Sequence, residues 1–343
     1  MRVLFDITHP AHVHFYRNLH QRLIDSGHDV LVVGREKDVT LELLDAYRIS
    51  HLIHGRSGSR GLIRQGIELA SRVAYLVRHG RRFRPDLVLT RNPAGVQAAR
   101  VIGALGVFDT DDAQSVGLHF RAAAPFADVI TGPDGIEGSL GKKERRYPSY
   151  KPLAYLHPDL YEPVDPRAQL GLEPGERYSV LRLVAHDASH DRGIEGLDRS
   201  SVRRIIELVA SIGPVFATVE PGAEAAGMVR SLDVPPERLH DVLAHAAVLV
   251  GDSQSVTAEA AVLGTPAFRI NSWAGRTPLT DLSAKYEVAH SFLPEEIDAA
   301  LEAIADALRP EAKEEWARKR EVLLADKVNL TDWYWDLVHD LAS

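Results

Sequence analysis

The stretch Ala246-Ala-Val-Leu-Val-Gly-Asp-Ser-Gln-Ser-Val-Thr-Ala-Glu-Ala-Ala-Val-Leu-Gly-Thr265, followed by Pro266, decides the fold class. Its apolar run Ala247–Val250 is typical of a parallel strand that is covered on both faces of its sheet. A short polar turn then leads into a helix that we expect to end at Gly264, because glycine readily adopts the left-handed conformation that terminates helices. The stretch therefore predicts one strand-turn-helix unit of an α/β sheet.

The turn of this unit predicts an anion-binding site. Ser253, Gln254 and Ser255 place backbone amides and hydroxyls at the start of the helix, where the helix dipole favours phosphate. Glu259 follows within the helix and could accept two hydrogen bonds from a ribose diol, so the combination indicates a nucleotide. The alternative is an ordinary capped helix with a solvated glutamate, since strand-turn-helix units occur throughout α/β proteins.

Length and composition restrict the class of protein. A chain of 343 residues is long enough for two domains, and its net charge of −8 argues against a nucleic-acid-binding protein. The absence of cysteine excludes disulfides, thiolate nucleophiles and Cys-ligated metals. No apolar stretch reaches the length of about 20 residues that spans a membrane, and no signal peptide precedes the first strand. We expect a cytoplasmic enzyme.

Strands and helices alternate along the chain. The first series begins with strand Arg2–Ile7 and includes helix Ala94–Leu105. The alternation stops between about Tyr147 and Pro174, where prolines gather, and it resumes with strand Ser179–Leu183. The pattern predicts an α/β protein with two Rossmann-like, doubly wound parallel-sheet domains that face a central cleft.

The same pattern predicts the domain boundaries. Residues 1–150 are expected to form the amino-terminal domain and residues 151–330 the carboxyl-terminal domain. Residues 331–343 carry Trp333, Tyr334, Trp335 and Leu337 with helical spacing. We expect a final helix that crosses back to the amino-terminal domain, and the alternative is a helix that packs on its own domain.

Three histidines follow the first strand, and imidazole titrates near neutral pH. His9, His12 and His14 could therefore deprotonate a hydroxyl or donate a hydrogen bond to phosphate. We favour His12, because Pro10 and Ala11 form a tight entry to the following helix and leave its side chain near the carboxyl edge of the sheet. One of the three is expected to be structural. A metal site is the weaker alternative, since the spacing fits no helical or hairpin ligand pair.

Carboxylates gather where another strand ends. Asp109, Asp111 and Asp112 follow the strand at Val107 and Phe108. Crowded carboxylates raise one another's pKa and can serve as acid and base, so Asp109 and Asp111 are candidate catalytic residues. They could instead bind magnesium or form a solvated loop.

The second series contributes two further candidates. Arg182 lies on the strand Ser179–Leu183, and a buried guanidinium needs a carboxylate or phosphate partner. His186 follows in the loop after this strand. Several basic residues elsewhere are interpreted as solvated faces or, alternatively, as a contact with anionic lipid; they are Arg78, Arg81, Arg82, Arg84, Lys142, Lys143, Arg145 and Arg146.

Four segments together resemble a known family. They are Asp6-Ile-Thr-His-Pro-Ala-His-Val-His-Phe15, Phe108-Asp-Thr-Asp-Asp112 with Pro125-Phe-Ala-Asp-Val-Ile130, Arg146-Tyr-Pro-Ser-Tyr-Lys151, and Gly251-Asp-Ser253 with Leu263-Gly-Thr-Pro266. Over about residues 1–310 the chain resembles an uncharacterised family, number 354 among the domains of unknown function. That family is similar to the GT-B superfamily, which includes the peptidoglycan N-acetylglucosaminyltransferase and the non-hydrolysing UDP-N-acetylglucosamine 2-epimerases.

The resemblance implies how the chain would work. It implies a GT-B-like fold with an acceptor-binding first domain, a second domain that binds a nucleotide-sugar, and no essential metal or other cofactor. Gly251, Ser253, Gln254 and Ser255 match the diphosphate-binding turn, and Glu259 matches the acid that binds ribose. His186 falls where the epimerases have a histidine near the diphosphate.

The chain departs from the epimerases in its first domain. They carry a Gly-Asp pair after a strand where this chain has Arg91-Asn92, and their Glu-bearing motif is replaced by Asp109–Asp112.

The sequence therefore favours a metal-independent glycosyltransferase that uses a nucleotide-sugar, most simply a UDP-sugar, and an acceptor that is a sugar or is lipid-linked. Arg182 or His186 would stabilise the leaving group, and His12, Asp109 or Asp111 would deprotonate the acceptor. The alternatives are an epimerase and a non-catalytic nucleotide-sugar-binding protein. A peripheral contact with the inner face of the membrane also remains open.

Overall fold

The computed structural model describes residues 1–56, 61–111, 117–136, 138–183, 197–219, 229–272 and 279–342. The chain divides into two compact units. Unit 1 comprises residues 1–160 and 327–343, and unit 2 comprises residues 161–326. Each unit contains one parallel sheet.

Unit 1 is built on seven parallel strands, whose central members are buried because helices cover both faces. The strands are β1 (Arg2–Asp6), β2 (Asp29–Glu36), β3 (His51–Arg56), β4 (Leu87–Thr90), β5 (Leu105–Asp109), β6 (Val129–Pro133) and β7 (Glu144–Tyr147). Their order across the sheet is β3-β2-β1-β4-β5-β6-β7, with every neighbouring pair parallel. The strand order therefore reverses between β1 and β4.

The helices of unit 1 include the last helix of the chain. They are α1 (Pro10–Asp25), α2 (Thr40–Ala46), α3 (Leu62–Phe83), α4 (Pro93–Ile102), α5 (Gly117–Ala123) and α13 (Leu330–Ala342), with a 3-10 turn at Lys151–Ala154. Helix α13 packs against α1, where the rings of Phe15 and Tyr334 meet edge to face with centroids 5.3 Å apart.

Two boundaries in unit 1 differ from the predicted ones. The unit continues to Leu160 rather than ending at 150, because α1 holds this segment: Asn18 Nδ2 donates to the carbonyl of Ala154 at 2.9 Å. Helix α4 ends at Ile102 rather than at 105, since Gly103 adopts a left-handed conformation with φ of 78°. The sequence analysis also missed β7.

Unit 2 is built on six parallel strands. They are β8 (Ser179–Leu183), β9 (Val215–Val219), β10 (Arg230–Ser231), β11 (Val248–Gly251), β12 (Ala267–Ile270) and β13 (Ala289–Phe292). Their order is β10-β9-β8-β11-β12-β13, with every neighbouring pair parallel. Here the strand order reverses between β8 and β11.

The helices of unit 2 pack around this sheet over a core that includes Ile205, Val250, Phe268 and Trp316. The helices are α6 (Arg167–Leu170), α7 (Arg199–Val209), α8 (Leu239–His245), α9 (Gln254–Leu263), α10 (Leu279–Tyr286), α11 (Ile297–Ala307) and α12 (Ala312–Asp326), with 3-10 turns at Ala210–Ile212, Pro236–Arg238 and Pro294–Glu296.

Helices that could cross a membrane are absent from the part of the chain that the structure describes, since none combines sufficient length with sufficient apolar character.

Candidate functional site

Each sheet has one place where a ligand is expected. Open parallel sheets bind ligands outside the carboxyl ends of their strands, at the point where the strand order reverses. In unit 2 this point lies between β8 and β11, and in unit 1 it lies between β1 and β4. The candidate residues of the two units group at these two points.

Gly251 lets the two central strands of unit 2 lie close together. A Cβ at this position would lie 2.1 Å from the carbonyl oxygen of Arg182, which is shorter than any allowed contact. The next residue, Asp252, donates its backbone N–H to the same carbonyl at 3.2 Å. Gly251 was predicted as a nucleotide-binding residue, and the structure shows a steric role for it at the end of β11.

The start of α9, after the turn that follows β11, has backbone N–H groups with no acceptor in the part of the chain that the structure describes. Ser253 is the N-cap residue, with φ of −85° and ψ of 118°, and its side chain makes no capping hydrogen bond. Its carbonyl accepts from Thr257, whose N–H lies 3.1 Å away and whose hydroxyl lies 2.7 Å away. Among the described residues, nothing accepts from the backbone N–H groups of Gln254 and Ser255. These half-exposed donors form a potential anion-binding site.

Glu259 is buried rather than solvated. It is 5% exposed in the second turn of α9, and its Oε2 lies 3.5 Å from Nε2 of His240 on α8. The alternative of an ordinary capped helix with a solvated glutamate is therefore wrong on both points. The side chain of Ser253 makes no capping hydrogen bond, and Glu259 is buried. His240 was missed because nothing in the sequence links it to Glu259.

Arg182 and its neighbours complete the described part of this edge. Arg182 is half-buried on β8 rather than fully buried as expected. Asn271, directly after β12, donates from Nδ2 to the carbonyl of Asp252 at 2.9 Å and so holds the turn. Arg269 on β12 is fully buried, and desolvation lowers its pKa to about 10. His186, the remaining candidate in this unit, lies outside the described residues.

In unit 1, a buried ion pair fixes the end of β1. Arg72 of α3 donates to Oδ1 of Asp6 from Nε at 2.8 Å and from Nη2 at 2.6 Å, and it also reaches the carbonyl of Val33 at 3.0 Å. Thr90 at the end of β4 donates to the other carboxylate oxygen of Asp6 at 3.0 Å. Side chains thereby join strands β1, β2 and β4.

Helix α4 starts very close to β4 and so orients Arg91. A Cβ at Gly95 would lie 2.6 Å from Cβ of Thr90, which means that only glycine permits this approach. Asn92 caps the helix, since its Oδ1 accepts from the N–H of Ala94 at 2.9 Å. Arg91 lies between the strand and the cap.

Arg91 is the centre of a charged cluster. Its guanidinium pairs with both Asp109 and Asp111, and Lys151 Nζ lies 3.0 Å from Oδ2 of Asp111. We call these four residues the paired cluster. The Arg91 side chain is 8% exposed and Asp109 is 1% exposed. Asp109 and Asp111 therefore do not lie in the solvated loop that was one alternative, and Asp112 lies outside the described residues.

Hydrogen bonds and positive charges surround the two carboxylates of the paired cluster. Asp109 Oδ1 accepts from Thr131 Oγ1 at 3.0 Å and from the hydroxyl of Tyr334 on α13 at 2.7 Å. Burial acts to raise the pKa of Asp111, but the charges of Arg91 and Lys151 outweigh it and hold that pKa well below its usual range. A strongly acidic carboxyl group is a weak base, so this arrangement does not favour Asp111 as the group that deprotonates an acceptor.

His12 lies beside the paired cluster, in the first turn of α1. Burial, together with the charges of Arg91, His9 and Lys151, lowers its pKa well below the usual value, although Asp111 acts in the opposite direction. His12 is therefore neutral at pH 7. Its Nδ1 lies 3.4 Å from both the N–H and the hydroxyl of Thr8, and Nε2 has no hydrogen-bond partner among the described residues.

The other two histidines of this loop have structural roles. His9 caps α1, since its Nδ1 accepts from the N–H of Ala11 at 3.2 Å. His14 is buried, stacks on Tyr155 and lies 3.2 Å through Nδ1 from the hydroxyl of Tyr47. Groups of three or more His, Asp or Glu side chains that could hold a metal ion are absent from the described ranges.

Sequence reasoning found some residues of these sites and missed others. His12, Asp109 and Asp111 do lie together, as do Arg182, Gly251 and Ser253 in unit 2. Arg91 was noted only as a departure from a family pattern, and Arg72, Lys151 and His240 were not identified. An arginine directly after a buried strand is the one signal that could have indicated Arg91, because its charge needs a partner there.

Solved structures with the same fold are numerous. The glycosyltransferase VinC in complex with DTDP is 17% identical, covers 100% of both chains and has a TM-score of 0.65. A putative UDP-N-acetylglucosamine 2-epimerase from Listeria monocytogenes is 11% identical, covers 95% of this chain and 91% of its own, and has a TM-score of 0.69.

A third example is the MnaA–UDP structure from S. aureus, which is 10% identical, covers 91% of both chains and has a TM-score of 0.66. At these identities the similarity establishes the fold alone. The two parallel-sheet units match GT-B glycosyltransferase structures, which confirms the predicted fold class.

No curated protein matches the chain. Residues 1–140 match the sequence profile of the family described as "Protein of unknown function (DUF354)", and the resemblance to that family is thereby confirmed over the amino-terminal part of a chain with the GT-B fold.

Proposed function

We propose that this protein is a glycosyltransferase that takes a sugar from a nucleoside diphosphate and transfers it to an acceptor hydroxyl. The observation that carries the proposal is the start of α9, at the point of strand-order reversal in unit 2, where backbone N–H groups have no acceptor among the described residues. A diphosphate offers the negative charge and the several acceptor oxygens that such donors require.

The structural neighbours support a nucleotide ligand. The VinC structure contains DTDP and the MnaA structure contains UDP. Both proteins share with this chain a fold over at least 91% of its length. We extend the nucleotide from these proteins to the turn Gly251–Ser255, with Ser253, Gln254 and Ser255 on the diphosphate and Glu259 on the ribose.

The chemistry of transfer is assigned to two further groups. Arg182, half-buried at the end of β8, supplies positive charge beside the turn and would stabilise the departing diphosphate. The acceptor would lose its proton to His12, which is neutral at pH 7 because its pKa is lowered. A neutral imidazole has one ring nitrogen without a proton, so His12 can serve as a general base.

The paired cluster supports transfer over epimerisation. An epimerase that moves the proton at C2 of the sugar needs acidic and basic groups that can change protonation state. Asp109 and Asp111 are instead tied to Arg91, and the pKa of Asp111 is well below its usual range. The acceptor is proposed to be a sugar or a lipid-linked molecule, and no metal or other cofactor is assigned a role.

The decisive experiment removes one backbone donor. Gln254 is the first residue of α9, a position that tolerates proline, and Ser253 already has the extended conformation that precedes proline. Gln254→Pro therefore deletes an N–H group without breaking the helix, and Gln254→Ala is the matched control that keeps it. Calorimetric titration with UDP and with inorganic pyrophosphate measures the effect.

The expected result is about tenfold weaker binding of both probes to Gln254→Pro, since a hydrogen bond to a charged group is lost. The alanine variant is expected to bind like the wild type. Equal affinities for the proline and alanine variants would contradict the proposed diphosphate site. Acceptor-dependent release of nucleoside diphosphate then supports transfer, whereas deuterium uptake at C2 of the sugar from heavy water would replace it with epimerisation.

A further inference from the structure

Glu259 and His240 form a buried pair that the diphosphate site does not explain. Glu259 of α9 is 5% exposed, and Nε2 of His240, a residue of α8 that is 1% exposed, lies 3.5 Å from its carboxylate. A buried carboxylate is unfavourable unless a hydrogen-bond donor or a positive charge compensates it. His240 is such a partner, and it belongs to a different helix.

His240 is itself held in place by the first residue of unit 2. The ring of Tyr161 meets the His240 ring edge to face, with centroids 6.2 Å apart. The Tyr161 hydroxyl donates to Oδ1 of Asp241 at 2.5 Å, and the N–H of Val164 donates to the same oxygen at 2.9 Å. These hydrogen bonds to Asp241 hold the segment around Tyr161 against α8. The contact of the Tyr161 ring with the His240 ring then restricts rotation of the imidazole.

We infer that His240 is a positioning residue that fixes the carboxylate of Glu259, so that the nucleotide site selects ribonucleoside over 2′-deoxyribonucleoside diphosphates. This inference rests on the proposed function, in which Glu259 accepts from the ribose hydroxyls. A carboxylate held in one orientation loses a hydrogen bond when the 2′-hydroxyl is missing, and it cannot turn to compensate. A carboxylate that is free to rotate adapts, and the selection disappears.

Two similar variants separate the role of the imidazole from its bulk. In His240→Gln the amide NH₂ occupies a position near that of Nε2 and can still donate to Glu259. In His240→Asn the amide falls near Nδ1 and cannot reach Glu259. His245→Asn, on the same helix, is the control, because Nδ1 of His245 lies 3.0 Å from the backbone carbonyl of Asp241.

The probes are UDP, 2′-deoxy-UDP and inorganic pyrophosphate, titrated against the full chain. The wild type is expected to prefer UDP over 2′-deoxy-UDP by about tenfold, which corresponds to one hydrogen bond to a charged group. The preference should persist in His240→Gln and in His245→Asn. It should fall below about twofold in His240→Asn, chiefly through weaker UDP binding, while pyrophosphate affinity stays constant.

The outcomes separate this inference from the proposed function. Absence of UDP binding to the wild type overturns both. Equal wild-type affinities for UDP and 2′-deoxy-UDP overturn the inference and leave the diphosphate site intact, and this measurement requires no variant to fold. A preference for UDP that survives unchanged in His240→Asn also overturns it. If His240→Asn fails to fold, Tyr161→Phe replaces it, with a reduced preference expected because the ring of His240 is less restricted.

Discussion

The two points of strand-order reversal differ in the charged side chains and backbone donors that lie there. In unit 1, the ends of β4 and β5 carry ionised side chains that are already bonded to one another, with Arg91 between Asp109 and Asp111. In unit 2, the end of β11 carries a glycine and a helix start whose N–H groups have no acceptor among the described residues. In unit 1 the charges at this edge of the sheet pair with one another. In unit 2 the backbone N–H donors at the corresponding edge have no acceptor among the described residues.

Under the proposed function, this difference means that the two edges suit different ligands. A set of open backbone donors can accept a highly charged ligand without rearrangement, which suits a diphosphate. A closed network of ion pairs has little capacity for further charge, but it holds a neutral group such as His12 at a fixed position. A neutral acceptor hydroxyl is the partner that such an edge suits.

The largest expected loss of stability comes from removing the arginine of the paired cluster. Arg91→Met leaves Asp109 buried without its cation, and loss of one partner of a buried pair costs about 4 kcal/mol of the free energy of unfolding. Arg145→Met breaks an exposed pair with Asp340, for which we expect at most about 0.5 kcal/mol. Urea denaturation measures both values. A small loss in Arg91→Met would show that the cluster is not the closed network described.

A smaller loss of stability is expected from adding a side chain at the end of β11. In Gly251→Ala the added Cβ would lie 2.1 Å from the carbonyl oxygen of Arg182, so β8 and β11 must move apart, at a cost of about 3 kcal/mol. Gly66→Ala is the matched control, since no atom lies within 4 Å of a Cβ there, and it should stabilise α3 by about 0.5 kcal/mol. Thermal unfolding compares the two. An unaffected Gly251→Ala would mean that the strands are not tightly joined.

The smallest effect concerns the pH dependence of stability. The pKa of His12 is lowered in the folded state, so the unfolded state binds the additional proton. The stabilisation is therefore complete above the unfolded pKa of about 6.5 and is lost as the pH falls toward the lower folded value. His12→Asn should reduce the loss of Tm between about pH 7 and pH 5 relative to the wild type. Parallel curves for the two proteins would show that burial and the charge of Arg91 do not hold His12 neutral.

Local sequence patterns were sufficient for the architecture but less so for the sites. The strand Ser179–Leu183 was predicted with the observed bounds because Val180, Leu181 and Leu183 lie close together after the turn residues Pro174 and Gly175. The short strands β10 and β13 and helix α8 have weak periodicity and were not predicted. Glu259 was expected near a ligand from its place in the helix, but its burial depends on α8, which the sequence pattern did not reveal.

The sequence by itself determined the alternation of strands and helices and the position of the polar turn after β11, because these follow from contacts between residues close in the chain, and the resemblance to a known family supplied the GT-B fold. Only the tertiary structure decided which charges are neutralised. Asp109 bonds Tyr334, and His240 meets Glu259 and Tyr161, across separations in the chain that no periodicity encodes. Ion pairs and buried hydrogen bonds depend on distances between side chains, and those distances exist only once the chain has packed.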